Sequence, residues 1–188
     1  MLLKDIKELP IISNGAGRYV YDYGDQVIKI PKNFKETSKY PSFSDTPQKE
    51  RSRVMQNIVE LEVFLNCPAR LKYLLCDIPY YFYVEDIPII FQKKMKTFNS
   101  KEADYFRNYG KRNKLEAFCH KNNLKNYDQL EKDIRELSNI FELELKEILT
   151  NWRNWGYDEE VIKLIDYGCL KREVRQKHYR NGYKVVMK

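Results

Sequence analysis

Alternating apolar and polar positions run through the first half of the chain and predict antiparallel strands. Aromatic residues alternate with other residues over 18–23, Gly24-Asp25 marks a turn, and residues 26–30 are largely apolar and β-branched. Two such runs joined by a glycine-containing pair indicate a β-hairpin. The aromatic and β-branched runs at 79–84 and 87–91 predict a second hairpin.

The segment between these hairpins divides into a predicted loop and a predicted helix. Residues 32–53 are rich in Lys, Ser, Pro and Asp, which predicts a long loop. Residues 54–66 then place apolar side chains three or four positions apart, the spacing of one helix face. We therefore expect one helix to separate the two hairpins.

The second half of the chain has mostly helical periodicity. Residues 101–151 follow a helical pattern that is strongest over 127–149, and a short buried strand is predicted at 161–165. Strands, one helix, strands and then helices indicate an α+β fold. We expect a β-rich first part at 1–92 and a helical second part at 93–188.

Composition is that of an ordinary globular protein. The chain has 188 residues, 43% of them hydrophobic and 32% charged, which suffices for a core and argues against disorder. Its four cysteines form no C-x-x-C pair and it has two histidines, so we expect reduced thiols and no zinc site. The charged N-terminus and the short apolar runs predict a cytoplasmic protein without a membrane segment.

The net charge of +7 is concentrated at the C-terminus. Residues 171–188 carry seven basic side chains against one acid, Glu173, and the rest of the chain is close to neutral. A basic tail predicts an acidic partner, either a nucleic acid or an acidic protein surface. A solvated surface segment is the alternative interpretation.

The first hairpin carries two features with candidate chemistry. Asn14-Gly15-Ala16-Gly17 precedes it, and glycines let backbone N–H groups approach a phosphate, although a structural turn is the more common reason for glycines in such a segment. Lys29 lies inside the apolar second strand, where burial is costly without an anionic partner. An edge-strand lysine that reaches water is the alternative. The following helix offers Glu60 and Glu62, and spacing alone does not choose between them.

Two oxygen-bearing side chains flank the short strands near the end of the chain. Asn154 begins the string N-W-G-Y, and Asp166 begins D-Y-G after an apolar pair. An amide and a carboxylate at the mouths of neighbouring strands supply the oxygen ligands that Mg²⁺ favours. A structural Asx turn is the alternative for either residue taken singly.

Taken in order, these motifs resemble the protein-kinase-like superfamily. The N-W-G-Y and I-D-Y-G strings are similar to those of small kinase-like proteins from low-GC bacteria and their phages. The resemblance covers residues 15–168, and the common order of loose motifs carries it. It implies a two-lobed kinase-like fold with a β-rich N-lobe and a truncated helical C-lobe.

The resemblance implies a site for ATP and Mg²⁺. Gly15 and Gly17 match the phosphate-covering loop, and Lys29 matches the strand lysine that pairs with the α and β phosphates. The resemblance also favours Glu60 as the glutamate that holds Lys29, because the kinase pattern places bulky apolar residues three and four positions later.

The remaining kinase elements are matched in part. Residues 91–94 match the hinge that grips adenine, and Asn154 and Asp166 match the two metal-holding residues. However, Leu149 stands where kinases carry the catalytic aspartate, five residues before the metal-holding asparagine. Only 20 residues follow Gly168, too few for the usual substrate platform, so we assign no catalytic residue.

A retained pocket beside a lost base predicts a pseudokinase-like binding or regulatory module. We expect it to hold nucleotide and to act on another macromolecule, with a protein as the first choice of partner, such as a host protein inhibited by a phage-encoded chain. One alternative is an atypical active phosphotransferase in which another acid replaces the base. The other is a nucleic-acid-binding protein that uses the basic tail at 171–188.

Overall fold

The computed structural model describes residues 3–15, 17–32, 47–84, 87–102, 118–125 and 129–181. These residues form a mixed α+β fold. The helices are α1 (Leu3–Ile6), α2 (Pro47–Asn66), α3 (Leu130–Ile140), α4 (Leu145–Thr150) and α5 (Arg172–Asn181), with 3₁₀ helices at Ala69–Leu74 and Trp152–Asn154; residues 118–121 are also helical. The strands are β1 (Ile11–Asn14), β2 (Arg18–Tyr23), β3 (Gln26–Pro31), β4 (Tyr80–Val84), β5 (Ile87–Lys93), β6 (Lys96–Thr97), β7 (Trp155–Tyr157) and β8 (Ile162–Leu164).

A five-stranded antiparallel sheet in the order β1-β2-β3-β5-β4 forms the first part of the molecule. Both predicted hairpins are present, as β2–β3 and β4–β5. In the first, Tyr23 pairs with Gln26 across a two-residue turn, and Gly24 has φ +70°. Glycine adopts this left-handed conformation without steric cost, which explains why the chain reverses there.

The two faces of this sheet are covered differently. Ile28 and Phe91 pack on one face with Ile6 of α1. Ile90 packs on the opposite face with Leu61 of α2. Because successive residues of a strand point to opposite faces, Lys29 lies on the α2 side of β3, next to Ile28 on the other side.

Helix α2 begins earlier than the sequence predicted. Residues 47–53, expected as the end of a loop over 32–53, belong to the helix, which starts at Pro47. Proline is tolerated in the first turn of a helix, and the Gln, Lys, Glu and Arg that follow are good helix formers without an apolar period. Residues 33–46 of the predicted loop lie outside the described part of the chain.

The second part combines short helices with the three-stranded sheet β6-β7-β8. The predicted helical stretch is interrupted between α3 and α4, where Glu142 has φ +53°. Its residues 103–117 and 126–128 lie outside the described ranges. The predicted strand at 161–165 is present as β8.

One apolar core, which we call the large core, extends across the predicted boundary at residue 92. It joins Met55 and Val63 of α2 to Leu137, Trp155 and other side chains of the second part. Residues from both predicted parts of the chain therefore share one hydrophobic interior.

The C-terminal basic segment is helical where it is described. Helix α5 places Val174 in the large core, so this part of the segment is anchored to the body of the protein. Residues 182–188 lie outside the described ranges. The four cysteines are free. In the described part of the chain, no helix combines the length and hydropathy needed to cross a bilayer.

Candidate functional site

Lys29 lies on β3 with its side chain almost fully buried. Its ammonium donates hydrogen bonds to Glu60 Oε1 of α2 and to the backbone carbonyl of Ile165, which follows β8. Gln92 Nε2 also donates to Glu60 Oε1, at 3.1 Å. Glu62 is exposed on the same helix. The sheet, helix α2 and the end of β8 therefore meet at one buried lysine.

Arg18 brings a second cation to the same place. It is the first residue of β2, and its side chain is 5% exposed. Its Nη2 atom lies 2.7 Å from Glu60 Oε2 and 2.8 Å from Asp166 Oδ1. The contact with Glu60 Oε2 is an ion pair without the alignment of a hydrogen bond. We call Arg18, Lys29, Glu60 and Asp166 the charge cluster.

Asn57 fixes the orientation of Arg18. This fully buried amide on α2 donates from Nδ2 to the carbonyls of Lys29 and Pro88, both at 2.9 Å. The two carbonyls require the donor end of the amide, so Oδ1 faces the other way. It accepts a hydrogen bond from Arg18 Nη1 at 3.1 Å. A dedicated buried acceptor thus holds the guanidinium in the cluster.

The electrostatics of the cluster follow from burial and mutual contact. Burial alone would lower the pKa of Arg18, but the carboxylates of Asp166 and Glu60 outweigh it and raise that pKa above its usual range. Burial and the charge of Arg18 lower the pKa of Lys29, against the opposing effect of Glu60 and Asp166. Two cations and two carboxyl groups lie together, and their charges balance when all four are ionised.

Asn154 and Asp166 meet at the ends of β7 and β8. The backbone carbonyl of Asn154 accepts from the amides of Ile165 at 2.8 Å and Asp166 at 3.3 Å. The Asn154 side chain is buried and donates to the carbonyl of Glu147 at 3.3 Å. Since Lys29 also bonds to Ile165, the three residues singled out by the sequence lie in one neighbourhood.

Two glycines make this meeting possible. A side chain at Gly156 would place its Cβ 2.8 Å from Met95 Cβ and 3.0 Å from a methyl group of Ile165. A Cβ at Gly168 would lie 2.2 Å from the backbone oxygen of Gln56 on α2. The distances of 2.8 Å at Gly156 and 2.2 Å at Gly168 are shorter than real Cβ contacts. The strings N-W-G-Y and I-D-Y-G therefore carry glycine because the neighbouring segments pack closely there.

The glycine turn contacts the sheet through Lys32. The Lys32 side chain donates to the carbonyl of Gly15 at 2.6 Å, and its backbone amide donates to the carbonyl of Gly17 at 3.0 Å. Ala16, between the two glycines, lies outside the described residues. The role of Gly15 and Gly17 at a phosphate stays a prediction.

The backbone of the predicted hinge at 91–94 is engaged within the protein. The amide of Lys93 donates to the carbonyl of Asp77 at 2.9 Å, and the amide of Lys94 donates to that of Asp25 at 2.8 Å. These two donors are therefore used internally. Phe91 itself is buried against Tyr23 and Tyr80.

The position that the kinase resemblance assigns to a catalytic aspartate is apolar and buried. Leu149 belongs to α4 and to the large core. The nearest acid along the helix is Glu147, whose Oε1 accepts a hydrogen bond from Asn151 at 2.6 Å. Leu149 is thus a packing residue, and the neighbouring carboxylate of Glu147 is engaged within its own segment.

The two residues expected to hold a divalent cation already have contacts within the chain. Asp166 Oδ1 is already paired with Arg18, and the Asn154 amide donates to a backbone carbonyl. Within the ranges that the structure describes, no three His, Cys, Asp or Glu side chains gather as a metal site. The chain's own guanidinium supplies the positive charge beside Asp166.

Arg18 and Asn57 were not identified from the sequence. A signal for Arg18 exists in the strand register, because Val20 pairs with Lys29 and Arg18 lies two residues earlier on the same face. That register becomes informative only once the partner strand is known. Asn57 carries no comparable signal, since a single polar residue within a helix is ordinarily exposed.

Comparison with protein-family models, curated proteins and solved structures found no match for this chain. The kinase-like assignment is therefore a proposal that depends on the chain's own residues and geometry.

Proposed function

We propose that the chain is a kinase-like module without catalytic activity that acts by binding a protein partner. The observation that carries this proposal is the buried Lys29–Glu60 pair beside Asp166. In protein kinases the lysine lies on the third strand and its glutamate on the following helix. Here Lys29 lies on β3 and Glu60 on α2, between β3 and β4.

The second part supports the same assignment. Asn154 precedes β7 and Asp166 follows β8, the order in which kinases carry their two metal-holding residues. The lysine side chain reaches the carbonyl of the residue before Asp166. A lysine, a glutamate and an aspartate from three separate elements thus lie together, and this arrangement supports the proposed kinase-like site.

The absence of catalysis is argued from Leu149. A general base contributes about 10²–10⁴-fold to rate, and this position is filled by a buried leucine. The carboxylate of Glu147 is bonded to Asn151. The chain therefore offers no positioned base at the place where kinases have one.

A protein partner is favoured by the outer strand β4. It ends the five-stranded sheet, and Tyr80, Tyr81 and Tyr83 are 56%, 36% and 47% exposed. Tyrosine is enriched in protein interfaces because it offers a large apolar ring together with a hydroxyl group. This surface is the candidate contact region.

The loss of catalysis is tested by incubating the chain with radiolabelled ATP, Mg²⁺ and a host extract. We expect no transfer of label to any protein. Transfer that disappears in Asp166→Asn would instead establish the alternative, an atypical phosphotransferase.

The partner class is tested by capture from nuclease-treated and untreated extracts. We expect the wild type to retain a protein in both, and the Tyr81→Ser/Tyr83→Ser variant to lose it with an unchanged melting temperature. A matched variant, Arg172→Ser/Lys177→Ser, removes two exposed charges of α5 and should retain the protein. Salt-sensitive capture of nucleic acid that fails with the α5 variant would favour the nucleic-acid alternative.

A further inference from the structure

We propose that Arg18 is the resident cation of the charge cluster, standing where a kinase-like site would hold a metal ion, and that it closes the site to Mg²⁺ with nucleotide. This inference rests on the proposed kinase-like placement of Asp166. It reverses the expectation of ATP and Mg²⁺ that the sequence resemblance raised.

Arg18 makes specific contacts with both carboxylates of the charge cluster. One nitrogen, Nη2, spans Glu60 at 2.7 Å and Asp166 at 2.8 Å, so a single positive group bridges the two carboxylates. The side chain is buried, as is that of Glu60. A guanidinium stays charged at any physiological pH. The positive charge of the bridge therefore does not depend on pH in the physiological range.

Asn57 makes the placement of Arg18 specific. Its acceptor oxygen meets Nη1, while its two donor hydrogens are committed to backbone carbonyls of β3 and β5. A long side chain loses rotamer entropy on burial. Here that loss is opposed by three polar contacts, to Asn57, Glu60 and Asp166. The orientation of Arg18 is thus set from the helix side as well as by the carboxylates.

Charge balance argues against an added metal ion. Arg18 and Lys29 already match the charges of Glu60 and Asp166, so these two carboxylates do not require a metal ion to neutralise them. Mg²⁺ binds carboxylate oxygens at about 2.0–2.1 Å and demands near-octahedral geometry. To bind at Asp166 Oδ1 it would have to displace the guanidinium.

The hinge supplies a second, independent observation. Adenine recognition by a kinase hinge uses backbone hydrogen bonds, and here the amides of Lys93 and Lys94 donate to Asp77 and Asp25. The adenine end of the site is thus engaged internally, as its metal end is. At both ends of the expected nucleotide site, polar groups are therefore already used by contacts within the chain.

The experiment compares thermal unfolding of the wild type, Arg18→Met, and Arg18→Met/Asp166→Asn with Mg²⁺ and ATP together, and with ATP and EDTA. Methionine keeps an unbranched apolar stem but removes the cation. We expect no Mg²⁺-dependent shift in the wild type and, for Arg18→Met with ligand at about 100 times its Kd, a rise of about 5–10 °C. That rise should vanish in the double variant. Arg18→Lys, which keeps a positive charge, should likewise show no Mg²⁺-dependent shift, although its own stability should fall because an ammonium cannot reproduce the contacts of the guanidinium.

Two outcomes would overturn the inference. The first is a Mg²⁺-dependent rise in the wild type that Asp166→Asn abolishes, which would leave the kinase-like assignment standing. The second is a folded Arg18→Met variant that gains no shift. If Arg18→Met does not fold, Arg18→Gln replaces it, since the amide can still donate to a carboxylate. The proposed function is tested independently of these results by the capture of a protein partner from extracts, described above.

Discussion

The charge cluster, which is buried except at Asp166, and the large core stabilise the protein in different ways. The large core is a set of interchangeable apolar side chains whose contribution scales with the area removed from water. The charge cluster consists of four side chains whose contributions depend on one another. Losing one member leaves a buried charge without its partner, which costs more than the contact itself is worth.

This difference predicts different tolerance to substitution. A core residue can be exchanged for another of similar volume, because packing is adjustable within limits. A member of the charge cluster has no such substitute, because its contacts depend both on its charge and on the orientation of its charged group. The following variants test that contrast from the largest effect to the smallest.

Glu60→Ala should have the largest effect. It leaves Lys29 and Arg18 buried without their common carboxylate, and the loss in unfolding free energy should be about 3–5 kcal/mol. Urea unfolding monitored by tryptophan fluorescence measures it. Glu62→Ala removes an exposed glutamate from the same helix and should stay within about 0.5 kcal/mol. Equal losses in the two variants would refute the proposed importance of the buried pair.

Leu137→Ala should be next, at about 3 kcal/mol by the same measurement. Leu137 of α3 is fully buried in the large core, and its truncation removes apolar burial and leaves a cavity. Ile140→Ala, on the same helix but 46% exposed, should cost clearly less. Leu137→Met should recover most of the loss, whereas Glu60→Gln should not restore the charge cluster. If Leu137→Met and Glu60→Gln both restored most of the lost stability, the predicted difference between the large core and the charge cluster would be wrong.

Gly168→Ala should cost about 1–3 kcal/mol, because its new methyl group collides with the backbone of α2. The matched control is Gly15→Ala, whose Cβ would lie at an ordinary 3.7 Å from the carbonyl of Arg18. Thermal unfolding of the two variants should separate them. A Gly168→Ala protein as stable as Gly15→Ala would show that α2 and the D-Y-G turn are not in tight contact.

Asp158→Asn should have the smallest effect and should depend on pH. Burial raises the pKa of Asp158, but the amides of Glu160 and Val161 together with Lys93 outweigh it, so the pKa lies below its ordinary value. A depressed pKa adds stability that is present above the unfolded value near 4 and is lost as pH falls through the folded value. This exposed pair should contribute less than about 1 kcal/mol at pH 7.

The measurement for Asp158 is urea unfolding at pH 7 and pH 3. The wild type should lose more stability on acidification than Asp158→Asn, and the two proteins should converge at the lower pH. Parallel curves with a constant offset would show that the carboxylate of Asp158 does not carry the difference.

The sheet was largely predictable because its inner strands alternate and its turns contain recognisable residues. Strands β2 to β5 follow from that pattern, and Gly24 marks the first hairpin turn. Strand β1 was missed because all four of its side chains are exposed, so it has no alternation to detect. The break between α3 and α4 was missed because Glu142 takes a positive φ that glycine usually signals.

The candidate site was predictable only in part. The position of Lys29 inside an apolar strand predicted an anionic partner. The kinase resemblance favoured Glu60 over Glu62 as that partner. Arg18 was not identified because its partners come from α2 and from the segment after β8, far away along the chain. A periodic pattern records which face a residue occupies, but it does not record which distant charge meets it.

The close approach of Gly168 to Gln56 has a mechanical consequence. With no side chain between them, helix α2 and the segment after β8 touch through their backbones, and the Arg18 bridge fastens the same pair of elements a short distance away. An outward swing of α2 would have to break both attachments at once. We therefore expect this helix to remain docked whether or not a partner is bound, so that the molecule presents a fixed shape rather than a switch.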